Sequence, residues 1–242
     1  MNNHKMKWNS IYTLMLKEVK GFFFSPVAYV VATVFFIVSG VFFWPAFFVQ
    51  NQAELRSFFA MLPWSLTFII PALTMRLFAE ERQSGSYEML YTLPVTLEEI
   101  IVGKFCAVLV FLLFMLSIVP LYGITVSWVG DLNWGIVWGG FFGALFLGAF
   151  YAAVGLFASS LTKNQVIAFI IGLCIALLFF LVDKFFVFLP QSIIAIFNFF
   201  SSDIHFKNIT KGVLDIRDIL FFVWLTYIFL WLTQLNLKKS IR

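Results

Sequence analysis

The side chains best suited to recognising another protein are concentrated in one polar stretch, from Arg76 to Lys104. The chain has 12 acidic residues, and this stretch contains five of them: Glu80, Glu81, Glu88, Glu98 and Glu99. Arg76, Arg82 and Lys104 lie in it as well. Charges gathered in this way in a mostly apolar chain indicate a surface that a partner contacts in water.

A short helix is predicted inside this stretch, over Tyr87 to Leu93. Ser84-Gly85-Ser86 interrupts the helical pattern before it, and Pro94 ends it. The ridge of this helix is formed by residues at i, i+3, i+4 and i+7, which are Tyr87, Leu90, Tyr91 and Pro94. Glu88 lies on a neighbouring face near the positive end of the helix dipole. An aromatic ridge beside a carboxylate is typical of a docking surface.

Motifs for catalysis are absent from the sequence. There is no GxxxxGK[ST] phosphate loop, HExxH, GxSxG or Cys/His cluster. His4 and His205 lie far apart in sequence, and we interpret each as a solvated surface residue. We therefore expect that the chain is not an enzyme and binds no cofactor or metal. Energy for any work that it does must come from a partner.

The composition sets the fold class. Of the 242 residues, 62% are hydrophobic and 34 are Phe, which is too apolar for a water-soluble domain. The net charge of +4 is modest and concentrated near the ends, which favours lipid headgroups as partners and argues against nucleic acid. Cys106 and Cys174 lie in apolar runs and imply no disulfide. We expect an all-α polytopic membrane protein, forming a single domain over residues 1–242.

Six membrane-spanning helices are predicted after an amphipathic helix in the first 25 residues. That helix should lie in the membrane interface, with an apolar stripe of Trp8, Ile11, Leu14, Met15, Val19, Phe22 and Phe23. The predicted spans are 26–48, 58–78, 99–122, 136–157, 166–188 and 219–235. Pro63 and Pro71 predict a broken or kinked second span.

Local patterns refine three of these helices. Thr96 with Glu99, and Thr162 with Gln165, form candidate capping boxes that open the third and fifth spans. Gly139 and Gly143 form a GxxxG pair in the fourth span, which allows close helix packing either within one protomer or between two copies. The longest segment without a span is predicted from Leu189 to Asp218.

The distribution of basic residues predicts the orientation. With the N-terminus in the cytoplasm, eleven cations lie inside: Lys5, Lys7, Lys17, Lys20, Arg76, Arg82, Lys104, Lys163, Lys238, Lys239 and Arg242. Five lie outside: Arg56, Lys184, Lys207, Lys211 and Arg217. The positive-inside rule therefore places both termini, and the Arg76 to Lys104 stretch, in the cytoplasm.

The string PALTMRLFAEERQSGSYEMLYTLPVT, followed by GKF at Gly103 to Phe105, resembles the cytoplasmic loop of ABC-2 type permeases of ATP-binding-cassette transporters. SSLTKNQ, from Ser159 to Gln165, resembles their second cytoplasmic connection. The resemblance implies a cytoplasmic coupling helix between spans two and three. It assigns contact with the ATPase subunit to Glu81, Gly85, Ser86, Tyr87, Glu88, Leu90, Tyr91 and Pro94, and a second contact to Thr162, Lys163, Asn164 and Gln165.

The same resemblance predicts the partners and the location. Two copies of an ATPase subunit would carry the ATP and Mg, and a second permease protomer, like or unlike, would complete the path. A periplasmic accessory protein is a further partner that the resemblance allows, and the bacterial inner membrane is the expected location. LKEVKGFFFSPVAYVV and HFKNITKGVLDIRD look like the gliding-motility-associated subgroup. The rival hypotheses are an integral-membrane enzyme and a passive assembly scaffold.

Overall fold

The computed structural model describes residues 8–50, 55–85, 95–185, 200–212 and 215–239. Within these ranges all regular secondary structure is helical, which confirms the all-α prediction. The helices are α1 (Trp8–Phe23), α2 (Pro26–Gln50), α3 (Arg56–Thr74), α4 (Arg76–Gln83), α5 (Leu97–Leu116), α6 (Ile118–Ser127), α7 (Trp134–Leu161), α8 (Gln165–Phe185), α9 (Ser202–Ile209) and α10 (Ile216–Lys239).

Six segments of the described chain are long and apolar enough to cross a membrane. They are Pro26–Pro45, Arg56–Gln83, Leu97–Ser127, Trp134–Leu161, Gln165–Val182 and Ile216–Lys239. Each contains one predicted span or most of it. The six-span polytopic architecture is therefore confirmed by the helix lengths and their composition.

Two of the six segments contain an interruption. α3 continues through Pro63 and Pro71 and ends at Thr74, with Met75 separating it from α4, so the interruption of the second span lies after both prolines and not at them. The third span is predicted as one helix ending near Tyr122, but it is divided at Ser117 and continues to Ser127. Pro120 explains the division, because its ring nitrogen cannot donate to the carbonyl of Leu116 and its ring crowds that turn.

Helix α7 lies at the centre of the bundle, where its glycines admit three neighbouring helices. A Cβ placed on Gly140 would lie 2.2 Å from the Phe59 ring of α3, and one on Gly148 would lie 2.4 Å from Leu112 of α5. At Gly139 the obstacle would be the backbone carbonyl oxygen of Ile209, 2.8 Å away. The GxxxG pair is thus used within the protomer, against α9.

Helix α1 packs along α5. Ile11 and Phe22 are buried, and a Cβ on Gly103 of α5 would lie 2.9 Å from the Cβ of Leu14. The Phe22 and Phe111 rings lie 5.5 Å apart. Trp8 is 77% exposed and lies outside the contact with α5, so its place in the membrane interface stays a prediction. The contact with α5 begins one turn later, at Ile11.

Candidate functional site

The structure describes both ends of the predicted docking segment, residues 86–94, but not the segment itself. Ser86, Tyr87, Glu88, Leu90, Tyr91 and Pro94 lie outside the described residues. Their helix and their contact with a partner therefore stay predictions. Glu81 and Gly85 on one side, and Thr96 on the other, show how the rest of the chain holds this segment.

Gly85 lies two residues after the end of α4, just before the docking segment. Its φ is +72°, in the left-handed region where a side chain is strained, and a Cβ added there would meet nothing within 4 Å. Glycine is therefore required by the backbone conformation and not by packing. This is the usual way in which a helix terminates with a change of direction.

The capping box predicted at the start of α5 is present. The Thr96 hydroxyl accepts a hydrogen bond from the Glu99 amide at 3.3 Å, and the Glu99 carboxylate accepts one from the Thr96 amide at 3.0 Å. Glu98 accepts a hydrogen bond from Gln234 of α10 at 2.7 Å. The start of α5, which follows the docking segment, is thus capped and, through Glu98, bonded to α10.

Lys104 is the centre of a buried charge cluster that joins three helices. Its ammonium group donates to Glu18 of α1 at 2.8 Å, to Glu81 of α4 at 2.7 Å and to the carbonyl of Leu77 at 2.9 Å. The Lys104 side chain is 4% exposed, and those of Glu18 and Glu81 are 17% exposed. A lysine buried this deeply requires such partners, because an uncompensated charge is costly away from water.

This cluster forms the floor of an open cleft of about 400 Å³ between α1 and α4. The lining residues are Lys17, Glu18, Gly21, Arg76, Leu77, Glu80, Glu81, Ser84 and Lys104. Glu81, predicted from the resemblance as an ATPase contact, turns its carboxylate toward Lys104 inside this cleft. Its contact with a partner stays a prediction.

Arg76 fastens the turn between α1 and α2 to the beginning of α4. Its guanidinium donates to the hydroxyl of Ser25 and to the carbonyl of Gly21, the latter at 3.3 Å. It also lies 5.3 Å from the centre of the Phe22 ring, within the range of a cation–π contact. Arg76 therefore holds the C-terminal end of α1 and the turn after it against the beginning of α4, beside the cleft.

The second predicted contact, residues 162–165, has a different cap from the one predicted. Asn164, not Thr162, caps α8: its side-chain oxygen accepts from the amides of Val166 at 2.9 Å and Ile167 at 3.4 Å. Thr162 ends α7, and its hydroxyl accepts from the Asn164 amide at 3.1 Å. The capping box of Thr162 with Gln165 is a wrong prediction, because α8 begins at Gln165 and leaves that residue at the first helical position.

The two predicted contact regions are linked through the backbone carbonyl of Ser160, near the end of α7. Arg82 of α4 donates to this carbonyl, and Asn236 of α10 donates to it at 2.7 Å. The sequence gives no signal for these partners, since Arg82 and Ser160 are 78 residues apart and Asn236 is 76 residues beyond Ser160.

The opposite end of the bundle contains polar contacts that the sequence interpretation missed. His205 of α9 is 9% exposed, bonds to Asp218 of α10 through Nδ1 and stacks on the Phe221 ring at 4.0 Å. Its interpretation as a solvated residue is therefore wrong, and His4 lies outside the described residues. Asp203 accepts from Lys184 at 3.0 Å and Lys207 at 2.7 Å.

Helix α9 enters the bundle from that end, although the segment containing it is predicted not to span. Its Ser202 hydroxyl lies 3.0 Å from that of Tyr151, which is 17 residues along α7, or about 26 Å from its start. Among the described residues, no three His, Cys, Asp or Glu side chains are grouped closely enough to hold a metal ion.

The described part of the chain is therefore an apolar helical bundle with a charged platform at the end of α4 and the start of α5. The platform is formed by Glu18, Arg76, Glu81, Arg82, Thr96, Glu99 and Lys104. The sequence model of the family described as "ABC-2 family transporter protein" matches residues 8–236, nearly the whole chain. The chain belongs to this ABC-2 family. It is thus a multi-pass membrane component of an ABC transporter system, in which the ATPase is a partner. No curated protein matches the chain.

Proposed function

We propose that this ABC-2 family member is the permease subunit through which a transporter exports a substrate across the bacterial inner membrane. Two copies of a separate ATPase subunit bind and hydrolyse ATP with Mg, and a second permease protomer completes the path. The observation that carries the proposal is the charged platform formed by the residues on either side of the docking segment, in a chain that matches the family over residues 8–236.

The orientation follows from the contacts at that platform. Glu18, Arg82, Lys104 and Asn236 bring α1, α4, α5, the end of α7 and the end of α10 to the same end of the bundle. Among the described residues, this end also contains basic residues that the positive-inside rule assigns to the cytoplasm: Lys17, Lys20, Arg76, Arg82, Lys104, Lys163, Lys238 and Lys239. Both termini are therefore proposed to be cytoplasmic, on the side where an ATPase has access to ATP.

The platform explains how movement of a docked helix would be transmitted to the membrane-spanning helices. The docking segment follows Gly85, which adopts a fixed left-handed conformation after α4, and precedes the capping box of Thr96 at the start of α5. Glu88, with the ridge of Tyr87, Leu90 and Tyr91, would occupy a groove of the ATPase. Closure of two ATPase subunits on ATP would then displace the spans that the segment joins.

Two sequence motifs support a narrower role for the proposed permease. The motifs from Leu16 to Val31 and from His205 to Asp218 favour the gliding-motility-associated subgroup. In that setting a periplasmic accessory protein would contact the end of the bundle that contains α9. The whole of residues 1–242 is proposed to act as one permease domain.

Affinity purification of the tagged chain from membranes, with mass spectrometry of the co-purified proteins, tests the proposal. The expected result is a stoichiometric protein with a GxxxxGK[ST] loop, and ATPase activity only when it is present. Glu88→Arg should abolish this association without reducing membrane insertion. Asp131→Arg, the same charge reversal in the turn between α6 and α7, should leave it intact. A clean homodimer without an ATPase would contradict the proposal and favour a scaffold.

A further inference from the structure

Helix α4 contacts different parts of the bundle through two neighbouring residues in its last turn. Glu81 accepts a hydrogen bond from Lys104 of α5, which also bonds to Glu18 of α1. Arg82 lies about 100° further round the helix and donates to the carbonyl of Ser160 in α7. Because α4 ends at Gln83, both contacts lie immediately before the docking segment.

The Ser160 carbonyl is a strong attachment point for physical reasons. It is one of the last four carbonyls of α7, which have no amide partner within their own helix. Ser160 is fully buried, so this carbonyl cannot rely on bulk water. The Arg82 guanidinium supplies a charge-assisted bond at the negative end of the helix dipole, and the Asn236 amide supplies a neutral one.

We propose that α4 is a two-armed coupling element, in which Arg82 transmits movement of the docking segment to α7 and Glu81, through Lys104, transmits it to α1 and α5. The proposal rests on the proposed function, since it requires an ATPase that moves residues 86–94. Arg82 is a positioning residue in this scheme: it acts on α7 and does not contact ATP or cargo.

The contacts explain why a second route is needed. Through the chain itself, the docking segment reaches only α4 and α5. Helix α4 packs directly against α7, and at this end of the bundle the Arg82 side chain and the Ser160 carbonyl form a polar link between the two helices. Leu77, Phe78 and Ala79 of α4 are buried. We therefore expect the short helix to move as a rigid unit, together with the contacts that Glu81 and Arg82 make. Displacing α4 must then either carry the end of α7 with it or break the capping bond.

Hydrogen–deuterium exchange of the complete transporter in lipid nanodiscs tests the proposal, comparing the nucleotide-free state with the state trapped by ATP and vanadate. In the unaltered protein, trapping should change exchange in α4 and in the last turn of α7 together. Arg82→Ala should preserve the change in α4 and reduce the change in α7 at least threefold. Arg82→Lys, which keeps a cationic donor, should restore part of it.

Asn236→Ala is the decisive control, because it removes a donor from the same carbonyl without altering α4. If the two donors only cap α7, both alanine variants should have the same effect. If Arg82 transmits movement, Asn236→Ala should raise the basal exchange of α7 and leave its response to trapping in place. Lys238→Ala, which removes an exposed cation at the same end of the bundle, should change neither.

The remaining arm is tested at α1, where Glu18→Gln should reduce the response of α1 and leave that of α7 unchanged. Three outcomes would overturn the proposal: a full response of α7 in Arg82→Ala, equal effects of Arg82→Ala and Asn236→Ala, or loss of the ATPase from Arg82→Ala. Failure of the unaltered chain to retain an ATPase would instead refute the proposed function.

Discussion

Replacing Lys104 by methionine tests whether the charge cluster between α1, α4 and α5 stabilises the platform. Methionine keeps the length and the apolar stem of the side chain but removes the ammonium group, which makes three hydrogen bonds. Removing one member of a buried ion cluster costs about 3–5 kcal/mol, because the remaining charges lose their compensation. Glu18 and Glu81 retain 17% exposure, so we expect the lower end, about 3 kcal/mol.

Neutralising all three side chains separates the effect of charge from that of packing. In Glu18→Gln, Glu81→Gln, Lys104→Met, no buried charge is left without a partner. The loss of stability should therefore fall to about 1 kcal/mol, close to the net value of ordinary hydrogen bonds. A triple variant more stable than the single Lys104→Met variant is the characteristic result of a buried charge cluster.

The free energy of unfolding is measured by titration with SDS in mixed detergent micelles. Lys238→Met is the matched control, since Lys238 is exposed at the end of α10, and it should lie within about 0.5 kcal/mol of the unaltered protein. The reasoning would be refuted if Lys104→Met were as stable as this control. It would also be refuted if the triple variant were as unstable as the single one, since the loss would then come from packing.

Two further predictions concern close packing and capping. Gly155→Ala would place a Cβ 1.9 Å from the Thr74 hydroxyl and 2.8 Å from its Cβ, so α3 and α7 must separate at a cost of about 1–3 kcal/mol. Gly21→Ala, with nothing within 4 Å, should be neutral or slightly stabilising in the same titration, and equal losses would contradict the packing argument. Asn164→Ala should destabilise α8 by about 1 kcal/mol and Thr162→Ala by less, because only Asn164 accepts from the first helical amides. Exchange rates of the amides of Val166 and Ile167 measure this directly, and the reverse order would show that Asn164 is not the cap.

Several features that depend on residues close in sequence are predicted correctly. The six spans follow from apolar runs long enough to cross a membrane, and the Thr96 capping box follows from a hydroxyl and a carboxylate three residues apart. The interruption of the second span, by contrast, lies at Met75 and not at the prolines that predict it. The Thr162 box fails although it has the same spacing, because an asparagine two residues later supplies a better-placed acceptor for α8.

Contacts between distant residues could not be predicted in this way. The sequence predicts a solvated His205, because no local pattern shows that α9 enters the bundle and meets Asp218. The glycine pair at Gly139 and Gly143 was compatible with a dimer contact, and only the position of Ile209 against it assigns it to α9. Spacing in a helix identifies which side chains share a face, but it does not identify which helix lies opposite.

The sequence by itself determined that this is a helical membrane protein with one polar stretch, because hydropathy, prolines and caps act over a few residues. It also determined the ABC-2 resemblance, whose motifs are short and contiguous. Only the tertiary structure decided that Lys104 joins Glu18 to Glu81 and that Arg82 caps α7. Those contacts bring together residues from separate helices, and the free energy of burying a charge or a carbonyl selects partners by their position in space.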